Sequence, residues 1–332
     1  MRGLRISLYR YLLAAAAVLT GVCAARGQNT DPLMAHYWAM PTLYNPAATG
    51  NTDYIRIRGG ARLQWIGIDN APKSFTGTAD MPFRIGKQRL GAGVSVLQEG
   101  LGLFSNMDIA LQASYKLKLG KGTLSVGVQA AYYSTKFKGS EVVLPDDDDY
   151  HEGTDDAIPT QDLTGNSVDL SAGLWYEHPK FYLGLSGRHL MDPTIRMSLE
   201  GSESTETQEY EVKASRTLYF TAGSNIPIKN TLFELQPSLI VASDFKDFTG
   251  QADLRARYNR FLSFGVGYRY QSGISVSLGA EFKNFFIGYS YEYPLSAIAK
   301  ASSGSHEIVA GYQLKLNLTK QNKNRHRSIR IM

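Results

Sequence analysis

The sequence alternates between apolar and polar residues with a period of two over unusually long segments. Between residues 260 and 271, every second position is a large apolar residue, and the positions between them are small or polar. The apolar set is Leu262, Phe264, Val266, Tyr268 and Tyr270. Because successive side chains of a β-strand point to opposite faces, this pattern predicts strands with one apolar and one polar face.

Fourteen such segments lie between turn signals, with boundaries uncertain by about two to four residues. They are residues 54–66, 74–82, 89–99, 104–119, 123–136, 166–178, 180–190, 212–225, 231–244, 247–258, 260–271, 274–283, 284–294 and 304–318. Most exceed the usual soluble strand of about five or six residues and match the roughly nine to eleven that a tilted membrane strand needs. We therefore predict an all-β fold, a transmembrane antiparallel β-barrel of about 14 strands over residues 54–318, with apolar side chains facing lipid.

The connections between these segments alternate in length, as the two rims of a barrel should. Long loops are predicted at 137–165, 191–211 and 294–304, and we expect them outside the cell; the short turns are expected in the periplasm. Residues 140–165 carry nine acids and no Lys or Arg, whereas the short turns are basic. The run 146–149 of four aspartates could bind calcium, but no EF-hand ligand pattern surrounds it, and we interpret it as a solvated loop. The basic turn residues are Arg84, Lys87, Lys121, Lys229, Arg260 and Lys283.

The N-terminus has the features of a secretory signal peptide. Arg2, Arg5 and Arg10 precede an apolar run at 11–19, which is too short to span a bilayer as a helix and gives way to small residues. We predict a cleaved signal peptide at residues 1–27, with a mature chain starting at Gln28. An alternative reads Cys23 as a lipoprotein cysteine, although the preceding valine is bulkier than such sites usually carry.

The charge of the sequence gives no argument for nucleic-acid binding. Four of the 35 basic residues lie within residues 1–27, where there is no acid, which leaves 31 basic against 30 acidic residues in the rest of the chain. No metalloprotease, phosphate-loop, serine-hydrolase or dinucleotide motif occurs in a fitting context, and the six histidines show no metal spacing. We expect no enzyme activity, no cofactor or metal, no small-molecule substrate and no nucleic acid.

The most specific motifs lie before and after the first predicted strand and at the start of the last one. The chain reads Y-N-P-A-A-T-G at 44–50, R-L-Q-W-I-G at 62–67, A-P at 71–72 and H-E-I at 306–308. In these motifs the sequence resembles the PorP/SprF family of outer-membrane proteins of the type IX secretion system, found in gliding and secreting Bacteroidetes. The matching residues are Tyr44, Asn45, Pro46, Gly50, Arg62, Gln64, Trp65, Gly67, Ala71, Pro72, His306 and Glu307.

The resemblance covers residues 31–318 and implies a location in the outer membrane. It also implies a non-catalytic role in the machinery of protein secretion, or of secretion and gliding together. The implied partners are periplasmic and lipoprotein subunits of that machinery and outer-membrane lipid. Residues 28–53 are then an extended periplasmic or plug segment. The individual motif residues can all have structural roles, such as the turn that Asn45, Pro46 and Gly50 would form. Two departures from the family are the chain beyond residue 318 and the size of the acidic loop.

Residues 319–332 form a basic tail without acids, which we expect in the periplasm. It is either a solvated tail or an arm that binds an acidic partner, through Lys320, Lys323, Arg325, Arg327 and Arg330. The alternative function is a channel or transporter for small solutes, which requires an open, hydrated lumen, and liposome conductance would discriminate. A third class, an outer-membrane hydrolase, would need a Ser/His or Asp/His constellation that we cannot assemble.

Overall fold

The computed structural model describes residues 31–142, 159–199 and 210–316, and these form seventeen strands and five short 3-10 helices. The 3-10 helices are Tyr37–Ala39, Pro41–Leu43, Pro46–Ala48, Gly139–Glu141 and Ala297–Lys300. The strands are β1 Tyr54–Leu63, β2 Lys73–Ile85, β3 Gln88–Leu101, β4 Phe104–Leu119, β5 Gly122–Phe137, β6 Leu163–Glu177, β7 Phe181–Arg188, β8 Thr194–Leu199, β9 Tyr210–Lys213, β10 Thr217–Ser224, β11 Ile226–Pro227, β12 Phe233–Ser243, β13 Phe248–Tyr258, β14 Leu262–Arg269, β15 Gly273–Phe282, β16 Phe285–Pro294 and β17 Ser305–Lys315.

Fourteen of these strands form a closed antiparallel barrel. Strands β1–β7, β10 and β12–β17 each pair with a neighbour on both sides, and β1 pairs with β17 over ten residue pairs to close the ring. Strand β11 extends the pairing of β10 onto β12, and β8 and β9 form a separate hairpin. The predicted barrel and its strand number are thus confirmed.

The barrel carries its apolar side chains on the outside and its polar side chains on the inside, which is the reverse of a soluble protein. Along β14, Phe264 and Val266 are 52% and 43% exposed on the outer face. The alternate positions Gly265, Gly267 and Arg269 are buried on the inner face. The same alternation in the neighbouring strands gives a continuous apolar exterior. This is the surface that a bilayer covers, and it leaves polar and charged side chains for the lumen.

The two ends of the barrel differ in their connections. We call one end the turn rim, which carries residues 86–87, 120–121, 178–180, 225–232, 259–261 and 283–284, together with the described chain before β1 and after β17. The opposite end is the loop rim, with the described parts of the other connections: residues 64–72, 102–103, 138–142, 159–162, 189–199, 210–216, 244–247, 270–272 and 295–304. The predicted short turns therefore all lie at one end.

Several predicted strands are too long because the backbone turns where the alternation continues. The first strand ends at Leu63, since Trp65 has a φ of 48°, and the eleventh barrel strand starts at Leu262, since Asn259 and Arg260 have φ values of 49° and 55°. The predicted strand 212–225 splits into β9 and β10. Positive φ values of this kind end a strand whatever the side-chain pattern is.

The β8–β9 hairpin, which the sequence did not predict, lies at the loop rim. Ile195 and Met197 of β8 are buried, and the end of β8 pairs with the start of β6. The hairpin thus packs against the barrel wall. The aspartate run 146–149, the signal peptide and the basic tail lie outside the described residues.

In the part of the chain that the structure describes, we find no helix that combines the length and the apolarity needed to cross a membrane.

Val266, near the middle of β14, tests the lipid-facing assignment. We expect Val266→Arg to lower the free energy of unfolding by about 2 to 4 kcal/mol, because the guanidinium would enter the apolar core of the bilayer. Urea titration of the purified barrel in phospholipid vesicles measures this change. Val266→Leu is the control, since it keeps the side chain apolar, and equal stability of the two variants would contradict the assignment.

Candidate functional site

The lumen of the barrel contains the chain's own N-terminal residues. We call residues 31–53 the luminal segment; it runs from the loop-rim half of the lumen, at Asp31, to the turn rim at Asp53, where it contacts Arg89 beside the first turn. Its apolar side chains pack against inward-facing residues of the wall such as Tyr219 and Val309. The buried apolar residues of the segment are Leu33, Met34, Ala35, Tyr37, Met40, Leu43, Tyr44, Ala47 and Ala48.

Residues 45–50 lie directly on three glycines of the wall, Gly91, Gly127 and Gly173, which we call the glycine floor. A Cβ atom added to Gly91 would lie 2.2 Å from the carbonyl oxygen of Thr49. One on Gly127 would lie 2.3 Å from the amide nitrogen of Ala47, and one on Gly173 would lie 2.2 Å from Asn45 Oδ1. Only glycine permits this close approach, which is to the segment's backbone at Gly91 and Gly127 and to the Asn45 side chain at Gly173.

Asn45 and Pro46 shape the turn that rests on this floor. The Asn45 side chain accepts a hydrogen bond from the Ala47 amide at 2.9 Å and caps the 3-10 helix that Pro46 begins. Its amide nitrogen donates to the carbonyl oxygen of Leu174 in β6 at 3.0 Å. Asn45 therefore joins the segment to the wall as well as folding it.

Gly50 ends this stretch with a φ of 61° and a close approach to the wall. An added Cβ would lie 2.8 Å from the Met81 carbonyl oxygen, so both conformation and space require glycine. The Gly50 amide donates to Asp80 Oδ2 at 2.8 Å, and both oxygens of Asp80 accept hydrogen bonds from Arg56, at 3.0 and 2.9 Å. A buried carboxylate is thus matched by a guanidinium and a backbone donor.

Tyr44 holds two parts of the luminal segment together. Its hydroxyl accepts from the Met34 amide at 2.9 Å and donates to the Pro32 carbonyl at 3.1 Å. Its own carbonyl oxygen accepts from Ser186 Oγ of β7 at 2.7 Å.

A buried ion-pair group, Arg62, Glu292 and Glu307, fixes the segment at the seam where β1 meets β17; we call it the seam clamp. Arg62 and Glu307 face each other in the β1–β17 register, and Arg62 donates to Glu307 at 3.4 Å and to Glu292 at 3.0 Å. Glu307 also accepts from the amides of Ala35 at 2.6 Å and His36 at 2.8 Å, and lies 2.8 Å from His36 Nδ1. One carboxylate thus joins the barrel seam to the segment.

A second charged group holds Asp31. Arg188 Nη1 lies 2.8 Å from Asp31 Oδ2, and the same guanidinium also pairs with Asp108. Tyr219 donates to Asp31 at 3.0 Å, and His189 lies 3.3 Å from it. A guanidinium, a phenol hydroxyl and an imidazole thus surround the buried Asp31 carboxylate.

The other motif residues after β1 shape the loop rim. The Gln64 backbone amide donates to the Pro72 carbonyl oxygen at 2.9 Å and joins the two ends of the loop after β1. Within this loop, Gly67 has a positive φ of 101°. The Trp65 amide donates to Ser305 Oγ at 3.2 Å and ties this loop to the start of β17. These contacts connect β1 and β17 at the loop rim, above the seam clamp.

The predicted site residues therefore divide into two groups. In the lumen, Arg62 and Glu307 meet in the seam clamp, whereas Tyr44, Asn45, Pro46 and Gly50 contact other parts of the wall. The second group, Gln64, Trp65, Gly67, Ala71 and Pro72, lies in the loop-rim connection after β1. Ala71 is buried in the loop, and His306 points away from the lumen, with its ring 2.7 Å from the Tyr289 hydroxyl. The basic tail residues lie outside the described residues; they are Lys320, Lys323, Arg325, Arg327 and Arg330.

Sequence reasoning missed the wall residues that complete the site. Asp80, Arg188 and Glu292 carry charges in the middle or at the ends of strands, and nothing in the sequence distinguishes the three glycines of the floor from the other glycines of the strands. The sequence did contain one signal for such wall residues, which is a charged residue on the polar face of a predicted membrane strand. A charge in that position needs a partner in the lumen. The partner itself could not be read from the sequence.

A closed barrel with an apolar exterior and a charged, filled lumen defines an outer-membrane β-barrel protein. Residues 27–312 match the family model described as type IX secretion system membrane protein PorP/SprF, and the chain belongs to this family. Its location is accordingly the outer membrane. No curated protein matches the sequence. The signal peptide and the bacterial group stay predictions.

Solved outer-membrane barrels resemble the chain only in outline. The CymD monoaromatic hydrocarbon channel is 12% identical, with 85% of this chain and 94% of that chain covered and a TM-score of 0.47. A Pseudomonas aeruginosa FadL homologue is 11% identical (82% and 93% covered, TM-score 0.47), and Acinetobacter baumannii Omp33 is 9% identical (79% and 97%, TM-score 0.43). Similarity at this level says nothing about what this chain binds.

Gly127→Ala tests the glycine floor. We expect it to destabilise the packing of residues 45–50 by about 1 to 3 kcal/mol, because the new methyl group overlaps the Ala47 backbone. Hydrogen–deuterium exchange of the backbone amides of residues 41–50 should rise. The control is Gly77→Ala in β2, where an added Cβ meets no heavy atom within 4 Å. If both variants exchange like the parent protein, the segment does not lie on this floor.

Proposed function

We propose that this protein is a non-catalytic component of type IX protein secretion that anchors periplasmic subunits of the machinery at the outer membrane. The observation that carries the proposal is the filled lumen. The luminal segment occupies the barrel interior and is held by the seam clamp, the glycine floor and the Asp31 ion pairs. A barrel filled in this way is suited to presenting its rims to other proteins.

The turn rim faces the periplasm in this proposal. Short turns are typical of the periplasmic side of outer-membrane barrels, and longer loops of the extracellular side. The described chain leaves β17 at the turn rim, so the basic tail would start on the periplasmic side.

The proposed partners carry acidic surfaces. The turns of the turn rim are basic, and their exposed lysines include Lys87, Lys229 and Lys283. Charges of this kind raise the association rate and set the orientation of a complementary partner more than they raise affinity. The basic tail would add to the same attraction.

The alternative function, a channel or transporter for small solutes, requires an open and hydrated lumen. Buried side chains of the luminal segment occupy that space, including Met34 and Tyr44, which are 0% and 1% exposed. No observation on the described residues favours the channel.

Charge reversal at the turn rim tests the proposed function. We expect the triple variant Lys87→Glu, Lys229→Glu, Lys283→Glu to insert normally yet to lower secretion of type IX cargo and co-purification of periplasmic subunits. The reason is that it repels an acidic partner without touching the lumen. Complementation of a deletion strain, followed by assay of the culture medium, measures the effect.

The matched control reverses three exposed lysines at the loop rim, Lys73, Lys246 and Lys300, and should secrete normally. Normal secretion and normal co-purification in the turn-rim variant would contradict the proposed function. An equal defect in the two triple variants would do the same.

A further inference from the structure

A polar cavity of about 350 Å³ opens at the turn rim, between the end of the luminal segment and the wall. It lies at the turn ends of strands β3–β6, beside the turns 120–121 and 178–180. None of its lining belongs to the seam clamp or the Asp31 group. The polar residues that line it include Asn51, Arg89, Lys116, Lys121, His178 and Asn225.

Lys116 is the innermost cation of this cavity and is only 6% exposed. Its Nζ donates to the carbonyl oxygen of Thr49 at 2.8 Å, to the side chain of Asn51 and to Ser125 Oγ at 3.4 Å, and all three acceptors are neutral. Among the described residues, no carboxylate lies within ion-pairing distance of Lys116. A buried ammonium without a counter-ion is costly, so this position favours an added negative charge.

The rest of the lining strengthens that preference. Lys121 adds an exposed ammonium at the mouth. The Asn225 backbone amide donates to the Lys180 carbonyl oxygen at 3.0 Å, and its side-chain Oδ1 accepts from Gln236 at 3.0 Å. The side-chain Nδ2 group donates to no described residue, which leaves it free for an acceptor in the cavity. Arg89 is paired with Asp53 at 2.9 Å.

Glu177 also lines the cavity, and its negative charge would repel a bound anion. It forms no ion pair with the described residues, so it does not neutralise Lys116 directly. With Arg89 paired to Asp53, the formal charges that remain are those of Lys116 and Lys121 against this one carboxylate. The formal charge of the cavity lining is therefore positive.

The position of Lys116 shows which side of the wall the cavity opens to. It lies on the polar face of β4, between Tyr115 and Leu117, which are 37% and 42% exposed on the lipid-facing side. The ammonium thus faces the lumen and the turn rim rather than the bilayer. A phospholipid headgroup outside the barrel would not reach it.

We propose that this turn-rim cavity binds a carboxylate side chain of an acidic peptide segment from a periplasmic protein. The ammonium groups of Lys116 and Lys121 pair with the carboxylate, and the Asn225 amide donates a hydrogen bond to it. The inference rests on the proposed function for the periplasmic orientation of the turn rim. It goes beyond that function by naming the site and the chemistry that it recognises.

The test measures binding of a short glutamate-rich peptide to the purified full-length mature barrel by calorimetry. The matched glutamine peptide and inorganic phosphate are the other two probes. We expect the glutamate peptide to bind and the glutamine peptide not to bind. Lys121→Gln should weaken binding roughly tenfold or more, as the loss of a charge-assisted hydrogen bond predicts, without disturbing the luminal segment. Lys116→Gln should weaken it at least as much.

Two control variants separate this cavity from the general charge of the rim. Lys283→Gln removes the same charge on the opposite side of the turn rim and should weaken binding less than about twofold, because surface charges at that distance are screened. Lys73→Gln at the loop rim should leave binding unchanged. Equal effects of Lys121→Gln and Lys283→Gln would overturn the assignment of the cavity.

Two further outcomes would overturn the peptide assignment. One is tight binding of phosphate with the same variant dependence, while the glutamate peptide does not bind. The other is equal binding of the glutamate and glutamine peptides. A barrel that supports secretion but binds no glutamate peptide would overturn this inference and leave the proposed function standing, so the two can fail separately.

Discussion

The rest of the structure depends on the hydrogen bonds and the ion pair that the Glu307 carboxylate forms. The carboxylate lies opposite Arg62 in the seam where β1 meets β17. It accepts hydrogen bonds from the backbone amides of Ala35 and His36, and His36 Nδ1 lies 2.8 Å from it. A buried carboxylate is costly unless its oxygens are matched by donors. Here the matching donors come from β1 and from the luminal segment, so closing the barrel and filling it use the same group.

The glycine floor explains why the luminal segment can lie so close to the wall. Backbone atoms of Ala47 and Thr49 and the side chain of Asn45 occupy space that any side chain on the floor would fill, so the turn and the glycines depend on one another. The family motif at 44–50 thus has a structural role within this chain. The surfaces left for other proteins are the two rims, and the turn rim carries the cavity that contains Lys116.

The strands could be predicted because lipid on one side and the lumen on the other impose strict alternation on every strand. The sequence could not place the strand ends at Leu63 or Leu262, where a positive φ ends the strand without a change in side-chain pattern. Nor could it pair His36 with Glu307, which are 271 positions apart and meet only because β17 closes on β1. The motif marked Arg62 and Glu307 as important but not as partners.

The most direct test of the filled lumen is the reactivity of a thiol at position 34. Because the only cysteine of the sequence is Cys23, a mature chain from Gln28 with Met34→Cys carries one thiol. Met34 is fully buried, whereas Phe245 at the loop rim is 71% exposed and supplies the control Phe245→Cys. We expect a water-soluble maleimide to label position 245 rapidly in the folded barrel and position 34 only after unfolding in denaturant. Equally rapid labelling of both thiols in the folded barrel would contradict a lumen filled by residues 31–53.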